Sequence, residues 1–510
     1  MVLDKKADSA VEKNDAIHIA IILTIAAGVG IYLIATTVLI AEDGLRYIAQ
    51  AQKFSTDVVG AVKGDPFRGE PCGYPFLIYG AHKLAMMLGG STSAYSFSWM
   101  YSAQAVNLLC RLAALVVLYY IGKLLIGGRQ SFWAVLILAV LPYPAELGSD
   151  VLREWPHILF LVAGFMALLT GAKGGKWWMF GLAGLAAGLG YMIRPECPQL
   201  VIYGGLWLTM GLFLPNRNMT RTRLVCALVI LIAGSIAPVA PYMKITGKIL
   251  PTKVKQLFNP SQIQPPDESR DHNHGDEGTQ MQTASTVPGS IAEAFGHLFR
   301  RISENLMYFF TPALLIGLYY RFRKASVTAV EKFFIAVFIV FNVTMMILLH
   351  CNYGYISRRH CLPLVVLTIF YVPVGLGILA NWLRRGFFKG QPEAKKNSQL
   401  FIVLLIIGVV ICLPKLLTPI RIEKQGYRDV AKWLNDNSSP QNIAAVTDAR
   451  ITFYAQRQRV AESKQDKANY AVRMVKDTED ENKKPQENWQ QVYSVVLKKN
   501  LKLIVYKKII

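Results

Sequence analysis

Apolar residues in this chain gather into uninterrupted runs of roughly twenty, separated by short polar breaks, and only a few stretches show the mixed patterning of a soluble fold. A run of that length carries an α-helix across ~30 Å of hydrocarbon. The pattern predicts membrane helices near 16–41, 98–126, 131–147, 153–171, 177–193, 199–214, 224–242, 305–320, 333–350, 361–383 and 399–416. The expected fold class is a polytopic α-helical membrane protein with about eleven transmembrane helices and a small C-terminal α/β domain.

Three intervening segments, 42–97, 243–304 and 417–510, are too long to be simple connections. In the first, residues 45–54 and 74–88 mix apolar and polar positions at helical spacing, predicting two amphipathic helices in the membrane interface. In the second, 259–288 is rich in Pro, Gln, Asp, Ser, Thr and His and reads as a mobile loop. In the third, 427–435 reads as a helix, 442–447 as a strand, 449–455 as a short helix, 489–499 as a helix and 501–506 as a buried strand. The charge-dense stretch 476–487 reads as a solvated loop. The organisation expected is a transmembrane domain over 1–416 and an extracytoplasmic α/β domain over 417–510.

Composition supports a bilayer as the solvent, since 53% of residues are hydrophobic and 17% charged. The net charge of +22 is spread through short loops instead of lining one soluble face, which argues against a nucleic-acid partner. Counting from a cytoplasmic N-terminus, the inside segments hold Lys5, Lys6, Lys13, Arg129, Lys173, Lys176, Arg217, Arg221, Arg223, Arg321, Arg323, Lys324, Lys332, Arg384, Arg385, Lys389, Lys395 and Lys396. The short outside loops hold only Arg194, Arg358 and Arg359, with Arg153 just inside a helix end. Positive charge is retained on the cytoplasmic side, so this asymmetry sets the orientation and places all three long segments outside. The first apolar run is too long for a signal peptide and reads as a retained anchor. Seven cysteines lack metal or redox spacing and read as packing residues, although Cys72, Cys197 and Cys351 fall near one face where a disulfide could form.

Candidate chemistry clusters at the outer helix ends. Glu42-Asp43-Gly44-Leu45-Arg46-Tyr47 follows the first membrane helix. Acids there either cap the next helix, or one is a partly desolvated general base that takes a proton from a hydroxyl. Asp150-Val151-Leu152-Arg153-Glu154 opens the fourth membrane helix at the same face, where an internal ion pair with Arg153 is the alternative to a role in the site. Arg194, in Ile193-Arg194-Pro195-Glu196, and the pair Arg358-Arg359 sit where the positive-inside tendency disfavours them. Guanidinium groups there suit either anionic lipid in bulk or one bound phosphate held in bidentate fashion. His272 and His274, with Asp271, Asp276 and Glu277, are weak metal candidates in a polar loop.

In order along the chain these motifs resemble the GT-C membrane glycosyltransferases, particularly the branch similar to bacterial protein O-mannosyltransferases and the aminoarabinose transferases (glycosyltransferase family 39-like). The resemblance is carried by Glu42-Asp43-Gly44-Leu45-Arg46-Tyr47, by Gly73-Tyr74-Pro75-Phe76-Leu77-Ile78-Tyr79, and by the glycine-containing helix ending in Ile193-Arg194-Pro195-Glu196. It continues in Arg359-His360-Cys361-Leu362-Pro363, where His360 replaces the family tyrosine, and in Gly426-Tyr427-Arg428-Asp429-Val430-Ala431-Lys432-Trp433-Leu434. It implies an inverting transfer of a sugar from a polyprenyl phosphate to a hydroxyl on the outer face. Asp43 is then the general base, with Glu42 as the alternative because the order of the acidic pair is reversed. Asp150 or Glu154 becomes the second acid, and Arg194, Arg358 and Arg359 the phosphate contacts. Lys83 or His82 stands in for a family lysine missing beside Pro75. No tightly bound cofactor is required, and a divalent metal is an option seen in some relatives. The implied partners are the donor lipid, the bilayer, and an acceptor that is a protein, lipid or glycan. The implied location is a bacterial inner membrane. The rival classes are a transporter or flippase, which tends to show two related halves not seen here, and a ligase of lipid-linked glycans.

Overall fold

The computed structural model describes residues 2–64, 70–89, 95–214, 219–247, 290–323, 327–387, 393–476, 488–498 and 501–509. The predicted loop at 259–288, including His272 and His274, lies outside them. All eleven apolar segments coincide with helices. Five, in α1 (Val2–Thr36), α5 (Tyr95–Ile126), α8 (Glu154–Gly174), α15 (Ala329–Tyr353) and α18 (Glu393–Leu416), are long and apolar enough to cross a membrane unaided. Two bent pairs raise this to seven: α11 (Arg221–Ile236) with α12 (Ala240–Thr246), at 42°, and α16 (Arg358–Thr368) with α17 (Tyr371–Phe387), at 68°. The remaining apolar helices are shorter: α6 (Gly128–Val140), α9 (Met179–Tyr191), α10 (Gln199–Phe213) and α14 (Phe310–Arg323). The segment 131–147 is split because Pro142 begins α7 (Pro142–Leu147) and forces Leu141 before it into an extended conformation.

With no hydrophobic drive between helices inside lipid, close backbone approach supplies the packing. It is tightest between α14 and α17, where a Cβ on Gly317 would lie 1.9 Å from the Tyr371 carbonyl oxygen and one on Gly375 1.8 Å from that of Ala313. The two ends of the bundle differ in chemistry. At one end Asp15 pairs with Lys123, Lys173 Nζ donates to the Leu124 carbonyl (2.9 Å), and Arg321 pairs with Glu331 (2.9 Å). Lys173 and Arg321 are among the cations that the sequence assigns to one side.

The opposite end carries helices outside the apolar set: α2 (Glu42–Lys53), α3 (Val58–Lys63), α4 (Gly73–Met87) and α13 (Ile291–Asn305). Helices form at both predicted positions, but only α2 is amphipathic: α4 is apolar on its outer side too, where Phe76, Leu84 and Met87 are exposed. Helix α13 was not predicted, although its start carries a capping box in which Ser290 and Glu293 each bond the other's backbone N–H at 3.1 Å. All seven cysteines are free, so no disulfide joins Cys72, Cys197 and Cys351.

The C-terminal domain is a five-stranded sheet of order β2-β1-β3-β5-β4. Strand β1 (Ile443–Val446) runs parallel to β2 (Gln458–Val460) and β3 (Tyr470–Lys476), whereas β5 (Leu501–Lys508) is antiparallel to β3 and β4 (Trp489–Lys498). Helices α19 (Gln425–Asn437) and α20 (Ala449–Ala455) flank it. The helix expected at 489–499 is therefore corrected to a strand. Register shifts at Gln491/Tyr493 and Val496/Lys498 break strict alternation, which lets Val492, Tyr493, Val495 and Leu497 mimic helical spacing while all pack on one core. Their β-branched and aromatic character, paired along β5, decides the outcome.

Candidate active site

Helix α1 ends at Thr36, a short non-helical stretch with a bend at Val38 and Leu39 covers 38–41, and α2 begins at Glu42. This places Glu42 and Asp43 in the first turn of α2, where carboxylates complement the helix dipole. A Cβ on Gly44 would come within 2.8 Å of Val151 Cβ, so glycine is what allows α2 to start against the residues that precede α8. Asp43 pairs with Arg46 one turn along, and with Arg359 from the start of α16 (Nη1 to Oδ2, 3.2 Å). Burial alone would push its pKa up, but the guanidinium groups of Arg46 and Arg359, with Arg153 beyond them, hold the carboxyl below its usual range. Asp43 nevertheless remains one-third exposed, at 33%.

Around this pair lie two further ion clusters. Arg194 is buried and bonds Glu154 (3.3 Å) and Glu196 (3.0 Å). Burial opposes the charge on Glu196, yet Arg194, His157 and Arg153 outweigh it and push its pKa down. Arg153 reaches Glu70 (3.6 Å) and lies 5.7 Å from the centre of the Tyr47 ring. Its partner is thus Glu70, a residue that the sequence reading did not single out, and not Asp150 or Glu154 as the spacing suggested. Glu70 carries no motif of its own and reaches the site only through tertiary contact, whereas Glu196 is brought by the Arg-Pro-Glu motif beside Arg194.

The clusters adjoin, and the Glu154 carboxylate also acts on the Arg359 charge. Asp43 with Arg46 and Arg359 sums to +1, whereas Arg194 with Glu154 and Glu196 sums to −1.

The other candidates are dispersed. Asp150 is 1% exposed, and its Oδ1 accepts from the N–H groups of Val151 (2.7 Å) and Ala41 (2.9 Å) while its Oδ2 pairs with Arg421 (2.7 Å). Arg358 turns away to lie 4.0 Å from the Tyr143 ring centre, above which Lys415 also sits. Lys83 is exposed on α4 beside the Tyr79 ring, and His82 stacks on Trp99 with ring centres 3.7 Å apart. His360 serves the start of its helix, with Nδ1 2.9 Å from Ser357 Oγ. Among the described residues no group of three or more His, Cys, Asp or Glu side chains could hold a metal ion.

A family model described as dolichyl-phosphate-mannose-protein mannosyltransferase matches residues 84–242, which include Asp150, Glu154 and Arg194 but not Asp43 or Arg359. The fold resembles that of the oligosaccharyltransferase AglB from Archaeoglobus fulgidus in complex with an inhibitory peptide and a dolichol-phosphate. There the identity is 12% and the TM-score 0.56, covering 90% of this chain and 69% of that one. It also resembles ArnT from Cupriavidus metallidurans in the apo state, at 12% identity and a TM-score of 0.55 over 97% of this chain and 98% of that one. ArnT bound to undecaprenyl phosphate matches at 13% identity and a TM-score of 0.52, over 95% and 97% respectively. No curated protein sequence matches the chain.

Proposed function

We propose that this chain, which shares the fold of the AglB and ArnT structures, is a membrane glycosyltransferase that moves a sugar from a polyprenyl phosphate to a hydroxyl acceptor with inversion, using Asp43 as general base. The observation that carries this reading is the contact between Asp43 and Arg359. It joins a carboxylate and a guanidinium from opposite parts of the sequence, with Arg46 on the carboxylate's other oxygen. The AglB and ArnT structures that share the fold were obtained with dolichol-phosphate and undecaprenyl phosphate, which supports a polyprenyl-phosphate donor here.

In the proposed step the acceptor oxygen attacks the anomeric carbon as the bond from that carbon to the phosphate oxygen breaks. The hydroxyl proton passes to Asp43, and the electron pair leaves with the polyprenyl phosphate. Arg359 compensates the charge that develops there, so its stabilisation grows toward the transition state. The same guanidinium holds Asp43 in the resting site. When it turns to phosphate it relaxes its hold on the carboxylate, which becomes more basic as the donor binds. Glu42, adjacent and half-buried, is the alternative base. Arg194 is already matched by Glu154 and Glu196 and serves the phosphate less than Arg359 does. The site faces away from the cytoplasm, with residues 1–416 as the catalytic membrane domain and 417–510 outside, in a bacterial inner membrane.

The test is transfer by the purified protein from a panel of dolichyl- and undecaprenyl-phosphate sugars, mannose first, with mass spectrometry of the acceptor fraction. Asp43→Asn and Glu42→Gln are assayed beside the wild type. Full transfer by both variants overturns the base assignment. Movement of donor lipid across vesicles without a covalent product establishes a flippase instead, and transfer of whole lipid-linked glycans a ligase.

A further inference from the structure

Asp150 is a buried carboxylate that the proposed chemistry leaves unused. Its backbone is fixed from below by a polar row on α5: Gln104 Nε2 donates to the Ser149 carbonyl (3.0 Å), Asn107 Nδ2 to those of Leu147 (3.0 Å) and Asp150 (2.6 Å), and Arg111 Nη2 to that of Ala139 (2.7 Å). Its side chain faces the non-helical stretch 38–41, whose backbone groups need partners from outside a helix or sheet. Four of the six bonds made by those groups come from the far end of the sequence. The Val38 N–H donates to the Ile420 carbonyl (3.1 Å), the Ile40 N–H to Tyr454 Oη (3.0 Å), and the Ala41 N–H to Asp150. The carbonyls of Leu39 and Ile40 accept from Arg421 (3.1 Å) and Arg450 (3.5 Å). Arg421, which pairs with Asp150, sits at a φ of 57°, a left-handed conformation that a non-glycine residue keeps only when its surroundings impose it. Arg450 is itself buried and locked to Asp448 (2.6 Å). The first bond of α2, from the Gly44 N–H to the Ala41 carbonyl (2.9 Å), leads directly from this stretch into the turn that carries Asp43.

We infer that the C-terminal domain sets the position of the catalytic carboxylate: Arg421, Arg450 and Tyr454 from the domain and Asp150 from the membrane bundle grip residues 38–41 between them, and so fix the first turn of α2. These four are positioning residues, since each acts through the backbone of 38–41 and not on the substrate. The functional part of the inference rests on the assignment of Asp43 as base. The grip itself is a matter of geometry and is tested separately.

The experiment is hydrogen exchange on the full-length protein in detergent, followed by mass spectrometry of peptides covering 38–44, for the wild type, Arg421→Gln, Arg421→Lys and Asp150→Asn. Removing the Arg421 guanidinium should speed exchange across 38–44 by about ten-fold or more while α5 and the sheet keep their protection. Lysine, which retains the charge facing Asp150, should recover most of it. Asp150→Asn keeps an acceptor for Ala41 and loses the charge, and it gives the same local effect should Arg421→Gln fail to fold. With dolichyl-phosphate mannose as donor probe, Arg421→Gln should lower kcat by about ten-fold and leave KM for the donor unchanged. Unchanged exchange across 38–44, or faster exchange with wild-type kcat, overturns the inference. Asp43→Asn run in parallel keeps the failures apart: full transfer by that variant overturns the base assignment, while the exchange data judge the grip.

Discussion

Replacing Arg359 with glutamine should move the acid limb of the pH–rate profile upward. In the wild type Asp43 lies 3.2 Å from the Arg359 guanidinium. Coulomb's law at that separation gives about 1 kcal/mol in a medium like bulk water and about 5 kcal/mol at an effective dielectric constant of 20. Both side chains are about one-third exposed, at 33% and 37%, so solvent screening favours the lower figure. One kcal/mol is roughly 0.7 of a pKa unit, and the expected shift is about one pH unit. The sign follows from the direction of the perturbation. The pairing depresses the Asp43 pKa, so the base stays ionised to lower pH than an ordinary aspartate, and activity is lost only below that range. Glutamine removes the cation, raises the pKa and brings the loss of activity to higher pH. The assay is kcat/KM for the polyprenyl-phosphate sugar against pH, which reports the free enzyme, together with kcat, which reports the donor complex. In the wild type the kcat limb should already lie above the kcat/KM limb, because bound phosphate draws Arg359 away. In Arg359→Gln the two limbs should converge. A kcat/KM limb that stays in place in the variant refutes the idea that Arg359 tunes Asp43.

Asp43→Asn should lower kcat by about 10²- to 10⁴-fold, the range of a lost general base, with donor affinity largely retained when measured by direct lipid binding. Arg194→Gln leaves Glu154, 5% exposed, without its buried partner, and should cost about 3–5 kcal/mol, read as a lowered thermal unfolding midpoint in detergent. Gly375→Val inserts a side chain where even a Cβ would sit 1.8 Å from the Ala313 carbonyl oxygen, and should drive α14 from α17, read as a fall in folded yield and melting temperature.

The sequence was most informative where one physical requirement dominates. Hydrocarbon demands apolar length and internally bonded backbone, so all eleven apolar segments emerged as helices even where Pro142 broke one of them or a bend divided it. Lys173 and Arg321, which the positive-inside pattern groups together, do fall at one bundle end. Less was legible wherever partners come from afar. Asp43 stood out by its position at a helix start, but nothing local says that Arg359 meets it, that Glu70 takes Arg153, or that Asp150 is turned to the backbone of Ala41. Helix α13 was hidden in a long polar segment despite its Ser290–Glu293 capping box. Strand β4 was misread because its two register shifts gave the apolar residues a helical rhythm that only pairing with β5 contradicts.

The grip on residues 38–41 also has a consequence for how the protein is made. Synthesis and membrane insertion run from the N-terminus, so Leu39 and Ile40 emerge long before the residues that bind them, which lie 382 and 410 positions later. Until Arg421 and Arg450 have been translated and the sheet domain has folded, the stretch leading into Asp43 lacks those partners. A nascent or prematurely terminated chain would hold its membrane helices and its acidic residues yet lack an ordered catalytic turn. On the proposed mechanism, synthesis through the sheet domain thus becomes a condition for activity, and a late part of the chain acts as a checkpoint on an early one.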